Sequence, residues 1–131
     1  MGRFVIAAVS LAALGLVSGA PIARAEDAGE AVFKKNCFIC HTVEAGKNKV
    51  GPSLNGIVGR KAGTIPGFSY TSANKNSGVT WDEATLDTYI TDPRKFIPGT
   101  KMTFAGLKDA DDRKALDRLS QEPAVNGLGA R

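Results

Sequence analysis

Cys37-Phe38-Ile39-Cys40-His41 decides how the rest of this chain is read. Two thiols three positions apart, followed at once by an imidazole, match the spacing with which a polypeptide holds a haem through two thioether bonds and gives its iron an axial nitrogen. On a turn of helix Cys37 and Cys40 point the same way, towards the two vinyl groups of the macrocycle, while His41 turns beneath the ring. Three other readings compete. A redox dithiol wants a preceding strand and a βαβ context, which the flanking residues do not supply. A zinc site wants four ligands, and the chain holds two cysteines and one histidine. A structural disulfide between Cys37 and Cys40 would close a tiny loop, where the entropic gain is smallest, and would leave His41 without a role.

Upstream of the motif, the N-terminus reads as an export signal. Arg3 supplies a positive start, Phe4 to Val17 is an apolar and small-residue run, and Ala23-Arg24-Ala25 is an A-x-A cleavage site. An uncleaved anchor is the alternative, since Phe4 to Ala23 is just long enough to span a bilayer, but the A-x-A favours cleavage. The expected organisation is a signal over residues 1–25, one small domain over 26–122 and a loose tail over 123–131. A domain of that size buries a limited core, so a large cofactor at its centre would supply apolar contact that side chains alone cannot.

The net charge of +4 over the whole chain falls to +2 once Arg3 and Arg24 leave with the signal. That is too mild for nucleic acid, and no basic run with interleaved aromatics occurs. Position is more informative. Lys34, Lys35, Lys47, Lys49, Arg94, Lys95 and Lys101 flank the motif and the Met102 region, whereas acids gather from Asp109 to Asp117. Such an asymmetry is either a solvated face or a docking face that steers acidic partners.

The processed chain reads as helices joined by long loops. Asp27 with Glu30 resembles a capping box, and Val32 and Phe33 give the first helix an apolar face that leads into Cys37. Residues 42–67 are rich in glycine with little periodicity, so they are expected to wrap a cofactor. A short helix is expected over Thr71 to Asn76, stopped by Gly78. Thr80-x-x-Glu83 suggests a second capping box, with Leu86, Tyr89 and Ile90 on one face before Asp92-Pro93 ends the helix. A further turn covers Arg94 to Ile97, and a last helix starts near Asp109 and runs to about Gln121. No stretch alternates as a strand does, so the predicted class is all-α.

Elimination points to the second axial ligand. His41 is the sole histidine, both cysteines are used, and Met1 leaves with the signal, so Met102 is the remaining methionine. A lone methionine is usually a core gap-filler, yet Met102 follows Pro98-Gly99-Thr100-Lys101 in a loop rather than on an apolar helical face. His/Met ligation raises the potential and leaves no open position for substrate, which describes an electron carrier and not an enzyme.

From about Ala28 to Asp109 the chain resembles class I cytochrome c, close to the mitochondrial protein and its soluble bacterial relatives. The resemblance rests on Cys37 to Glu44, Lys49 to Pro52, Gly59-Arg60-Lys61, Pro66 to Tyr70, Ala73-Asn74, Thr80-Trp81, and Pro98 to Met102 followed by Phe104-Ala105-Gly106. It implies a small all-α fold of helices and long loops around one haem c, attached covalently through two thioether bonds. It further implies that Pro52 accepts a hydrogen bond from His41 through its carbonyl, and that Arg60, Tyr70, Asn74, Trp81 and Thr100 hold the haem propionates. Tyr89 would sit near the Met102 sulfur, Phe104 would cover the haem beside it, and Lys35, Lys49, Lys95 and Lys101 would ring the exposed haem edge.

One departure stands out. Relatives usually carry an aromatic in the last helix that packs on the first helix near the Gly29 and Phe33 positions, but no aromatic follows Phe104 here. Leu119 is the nearest apolar candidate and Asp117 and Arg118 stand where apolar residues are expected, so the terminal helices are predicted to dock more weakly than in relatives. The resulting expectation is a monomeric periplasmic one-electron carrier without stable membrane insertion. Its donor would be a quinol:cytochrome c oxidoreductase, and its acceptor a terminal oxidase, reductase or photosynthetic reaction centre. A peroxidase or nitric-oxide binder that sheds Met102, and a haem-stabilised structural protein, are the competing classes.

Overall fold

The apolar stripe that ends in Val32 and Phe33 folds as α1 (Ala23–Asn36), and its hydrogen bonding continues past the helix end. Cys37 N–H donates to Phe33 O at 2.8 Å and His41 N–H to Cys37 O at 2.8 Å, so the whole cysteine–histidine motif is wound on helical turns. The computed structural model describes residues 23–122, which leaves the expected signal peptide before Ala23 and the tail from residue 123 outside the described residues. Four further helices follow: α2 (Ser72–Lys75), α3 (Glu83–Thr91), α4 (Pro93–Phe96) and α5 (Ala110–Gln121). The protein is all-α, with one isolated antiparallel bridge, Lys61 to Thr80, among the described residues.

Two of the expected helix starts are corrected. Asp27 lies inside α1, which begins at Ala23, because Ala23-Arg24-Ala25-Glu26 are good helix formers and propagate the helix upstream. The second capping box belongs to Asp82 and Thr85, not to Thr80 and Glu83. The Asp82 carboxylate accepts from Thr85 N–H at 2.8 Å, and the Thr85 hydroxyl accepts from Asp82 N–H at 2.8 Å. Thr80 is held extended by its bridge to Lys61 and so cannot start a helix. The expected start near Asp109 is met: its carboxylate accepts from Asp111 N–H and Asp112 N–H at 2.9 and 3.0 Å.

The glycine-rich stretch after His41 forms no helix, and its polar backbone is satisfied locally instead. Ser53, 1% exposed, donates its hydroxyl to Glu44 O at 2.6 Å and its N–H to Asn48 Oδ1 at 3.0 Å. Near the bridge, Trp81 N–H donates to Arg60 O at 2.9 Å and Gly59 N–H to Trp81 O at 2.7 Å, which sets Arg60 beside Trp81. Ile57, Ala62, Trp81, Tyr89 and Ile97 form the buried cluster, with Met102 packed against it. The Trp81 and Tyr89 rings lie 4.9 Å apart and Tyr89 and Phe96 5.9 Å apart, so aromatic contacts carry much of this small core.

Among the described helices the largest interface is between α1 and α5. A Cβ built on Gly29 would fall 2.5 Å from Ala115 O and 2.9 Å from Leu119 Cβ, so the two helices meet almost backbone to backbone. Leu119 occupies the place expected for it, and Asp117, with a relative exposure of 6%, is buried beside it. α5 also contacts α3, through a 2.7 Å ion pair between Arg113 and Asp87.

Candidate functional site

A cavity of about 370 Å³ runs through the middle of the fold, and every site residue expected from the sequence lines it. Cys37 and Cys40 come from the turns after α1, and both thiols are free. Burial, with a smaller contribution from Cys40, pushes the Cys37 thiol up to about 11, so it is protonated at neutral pH and a poor metal ligand as it stands.

His41 is oriented by the loop that follows it. Its Nδ1 lies 2.8 Å from Pro52 O; a carbonyl can only accept, so Nδ1 carries the proton and Nε2 keeps its lone pair for a metal. Burial lowers the imidazole's proton affinity, opposed by the Pro52 bond, and the Arg60 and Lys49 charges lower it further. Gly51 packs directly against the ring: a Cβ there would fall 2.3 Å from His41 Cε1. The ring is therefore clamped between Gly51 and the Pro52 carbonyl.

Met102 enters the cavity from the loop between α4 and α5, where Thr100 N–H donates to Ile97 O at 3.0 Å and Gly99 adopts φ 91°. The Thr100 hydroxyl ties this loop down: it accepts from Met102 N–H at 3.3 Å and lies 3.2 Å from the Tyr89 hydroxyl. Tyr89, in α3, thus acts on the Met102 loop through Thr100, while Phe104 lines the cavity two residues further on.

The polar residues form a third group. Arg60 donates to Asn55 O and Ser53 O, each at 3.0 Å, yet has no carboxylate partner among the described residues, and Tyr70 lies close enough to affect its charge. Trp81, 7% exposed, has an indole N–H with no acceptor among the described residues. Asn74, 8% exposed, has Oδ1 engaged by the Thr71 hydroxyl at 2.9 Å, and its amide N–H groups likewise find no acceptor among the described residues. A half-buried cation without a counter-charge and buried donors without acceptors are costly unless a ligand completes them. The propionate carboxylates of a haem have the matching chemistry, so the donor set fits that group.

At the rim, Ile39 and Val50 line the cavity while remaining 82% and 76% exposed, so the cavity opens between them. Lys49 Nζ sits 3.7 Å over the exposed Phe38 ring, Lys101 Nζ sits 4.6 Å over Phe68 and donates to Ser69 O, and Lys35 and Lys95 are exposed. Sequence reasoning missed several lining residues, notably Leu54, Ile57, Phe68 and Leu116, which carry no polar chemistry to mark them. It also missed the cavity-lining role of Asp117 and Ser120.

Two thiols and an imidazole on one helical turn, facing an apolar cavity with unpaired donors at one part of its wall, define a helical protein built around a single covalently held haem. The chain belongs to the cytochrome c family, whose model matches residues 26–117. It is similar to cytochrome c2 of Rhodoplanes tepidamans, 60% identical over 69% of this chain and 84% of the relative. It is also similar to cytochrome c2 of Blastochloris viridis, 50% identical over 99% of this chain and 94% of the relative. Cytochrome c type-1 of Ascaris suum is 52% identical over 73% of this chain and 86% of that protein. The protein is accordingly a class I c-type cytochrome, an electron carrier with one haem c attached covalently.

Proposed function

We propose that this protein is a periplasmic, monomeric one-electron shuttle with His41 and Met102 as the axial ligands, without enzymatic activity of its own. One observation carries the reading: His41, with Nε2 free and Nδ1 bound to Pro52, and Met102, anchored through Thr100, line the same cavity as the two cysteines. Haem c held there supplies a one-electron couple. His41 and Met102 would hold its iron from the chain's own side chains, so that neither oxygen nor peroxide would gain a coordination position. Arg60, Tyr70, Asn74, Trp81 and Thr100 would pair with the propionates. The apolar wall of Leu54, Ile57 and Phe68 limits water, which keeps the reorganisation accompanying electron transfer small.

Support for export comes from the charged, apolar and A-x-A pattern of residues 1–25 and from the family match beginning at Glu26, where the processed chain would start. The likeness to the Blastochloris viridis relative, which extends over 99% of the chain, is in keeping with it. No described helix is long and apolar enough to cross a membrane. The partners proposed are a quinol:cytochrome c oxidoreductase as donor, with a terminal oxidase, reductase or photosynthetic reaction centre as acceptor.

The ligand pair is tested by Met102→Ala. The wild-type holoprotein is expected to show a near-infrared sulfur-to-iron charge-transfer band in the ferric state; the variant should lose it, gain high-spin character and drop in potential. An unchanged low-spin spectrum in the variant, with no replacement ligand recruited, would sink the assignment. The docking face is tested by kinetics. With Lys35, Lys49, Lys95 and Lys101 around the opening, the bimolecular rate with an oxidase should fall by about tenfold or more between low and physiological ionic strength. A rate independent of salt would remove the lysine ring from the account.

A further inference from the structure

Beside the haem cavity lies a second pocket of about 260 Å³, between α3 and α5, lined by Glu83, Ala84, Asp87, Ala110, Arg113, Lys114 and Asp117. Asp117 alone belongs to the walls of both. Its residue exposure is 6%, and its carboxylate has no hydrogen bond or ion pair among the described residues; only its backbone carbonyl is engaged, accepting from the Ser120 hydroxyl at 2.8 Å. A carboxylate so placed has no direct partner for its charge, on a residue that lines both the cofactor cavity and the outer pocket.

We propose that Asp117 is a haem-linked proton-binding site, taking up a proton from the outer pocket when the cofactor is reduced and releasing it on oxidation. This rests on the large cavity being the haem cavity, not on the identity of the sulfur ligand. The balance is simple: one electron enters from the donor and the Asp117 carboxylate takes one proton from water, then both leave on oxidation. A positive charge lost nearby makes a carboxylate harder to keep ionised, and linkage requires that protonation in turn favour the reduced state.

The surroundings keep that proton exchangeable near neutrality. Burial raises the carboxyl's proton affinity most, and Asp87 and Glu83, on α3, raise it further, while Arg113 and Arg118, on α5, oppose them; together they bring Asp117 to about 6. Arg113 compensates weakly because it is committed to Asp87 at 2.7 Å. Lys114, the remaining cation of the outer pocket, is 67% exposed and lies 4.0 Å from Asp111. From α1, Gly29 packs directly on α5 at Ala115 and Leu119 and is uncharged, and Glu30 and Lys34 pair with each other at the surface.

The experiment uses the holoprotein with its aspartate carboxyl carbons labelled with carbon-13. Asp117, assigned by comparison with Asp117→Asn, is titrated in the ferric and ferrous states, and the midpoint potential is followed over the same pH range. The expected result is a carboxyl that titrates near 6 and is roughly threefold to tenfold weaker as an acid in the ferrous protein. The wild-type potential should then fall with rising pH through that window, and the Asp117→Asn potential should stay flat. Titration in the ordinary carboxylate range, an equal titration point in both states, or an inflection that persists in the variant and so belongs to a propionate, would each overturn the proposal. Should the variant fail to fold, the labelled wild-type titration, with assignment through the neighbouring backbone, decides it alone. Absence of the sulfur-to-iron band would remove Met102 as ligand without altering this carboxyl titration, so the two readings fail separately.

Discussion

Gly51→Ala should unseat His41. The added methyl would fall 2.3, 2.6 and 2.8 Å from Cε1, Nδ1 and Nε2 of the ring, all far inside contact distance. Two escapes exist. The imidazole can tilt, which breaks its 2.8 Å bond to Pro52 O and swings Nε2 away from the cavity axis. Alternatively the loop can retreat, which breaks the 2.7 Å bond from Gly51 N–H to Cys40 O and loosens the motif itself. Gly51 has no positive φ, so the effect is purely steric and backbone conformation does not contribute. Overpacking together with a lost buried hydrogen bond is expected to cost about 2–4 kcal/mol. Thermal unfolding of the holoprotein and its low-spin absorption spectrum read the two parts. A variant with wild-type melting temperature and spectrum would show that the ring is not clamped.

Gly29→Ala should destabilise the protein, although the same change in an exposed helix would stabilise it by about 1 kcal/mol. The methyl would meet Ala115 O at 2.5 Å and Leu119 Cβ at 2.9 Å, and the first of these is backbone, which cannot rotate away. α1 and α5 would have to separate, exposing Phe33 and Ala115, both now buried. The overpacking cost of about 1–3 kcal/mol is expected to exceed the propensity gain, for a net loss of about 1–2 kcal/mol. For a domain of this size each kcal/mol lowers the melting temperature by about 4–8 °C. A variant that melts at or above the wild-type temperature would mean that the helices are not in backbone contact. The close approach also bears on the missing aromatic: with glycine facing Leu119, contact between the terminal helices is made by backbone proximity as well as by side-chain bulk.

Much of the site was legible because its chemistry is local. Cys37, Cys40 and His41 announce themselves by spacing, and Met102, the candidate left by a short roster of possible ligands, lines the same cavity. Helix positions were also readable, since apolar periodicity and the Asp109 cap need no distant partner. The helix starts were less so. Thr80 has the residue type of a cap, but a bridge to Lys61, nineteen residues away along the chain, holds it extended and passes the role to Asp82. Likewise, nothing in the order of residues shows that the Thr100 hydroxyl meets Tyr89, that the Trp81 indole has no acceptor among the described residues, or that Arg60 spends two donors on Ser53 O and Asn55 O.

Asp117 marks the limit most clearly. Along the sequence it belongs to a run of acids from Asp109 and stands where an apolar residue is expected, but nothing there shows whether it is solvated or buried. Its burial comes from the way α5 lies across α1 and α3, and that crossing depends on the absence of a side chain at Gly29, about 300 Å away along a fully extended chain. By itself, then, the order of residues determined the cofactor, its points of attachment and the helical class, because those depend on residue type and short-range spacing. Only the tertiary structure decided which donors lack acceptors, which glycines are steric necessities and which acidic residue lines both cavities, because each of these is set by elements that meet in space and not along the chain.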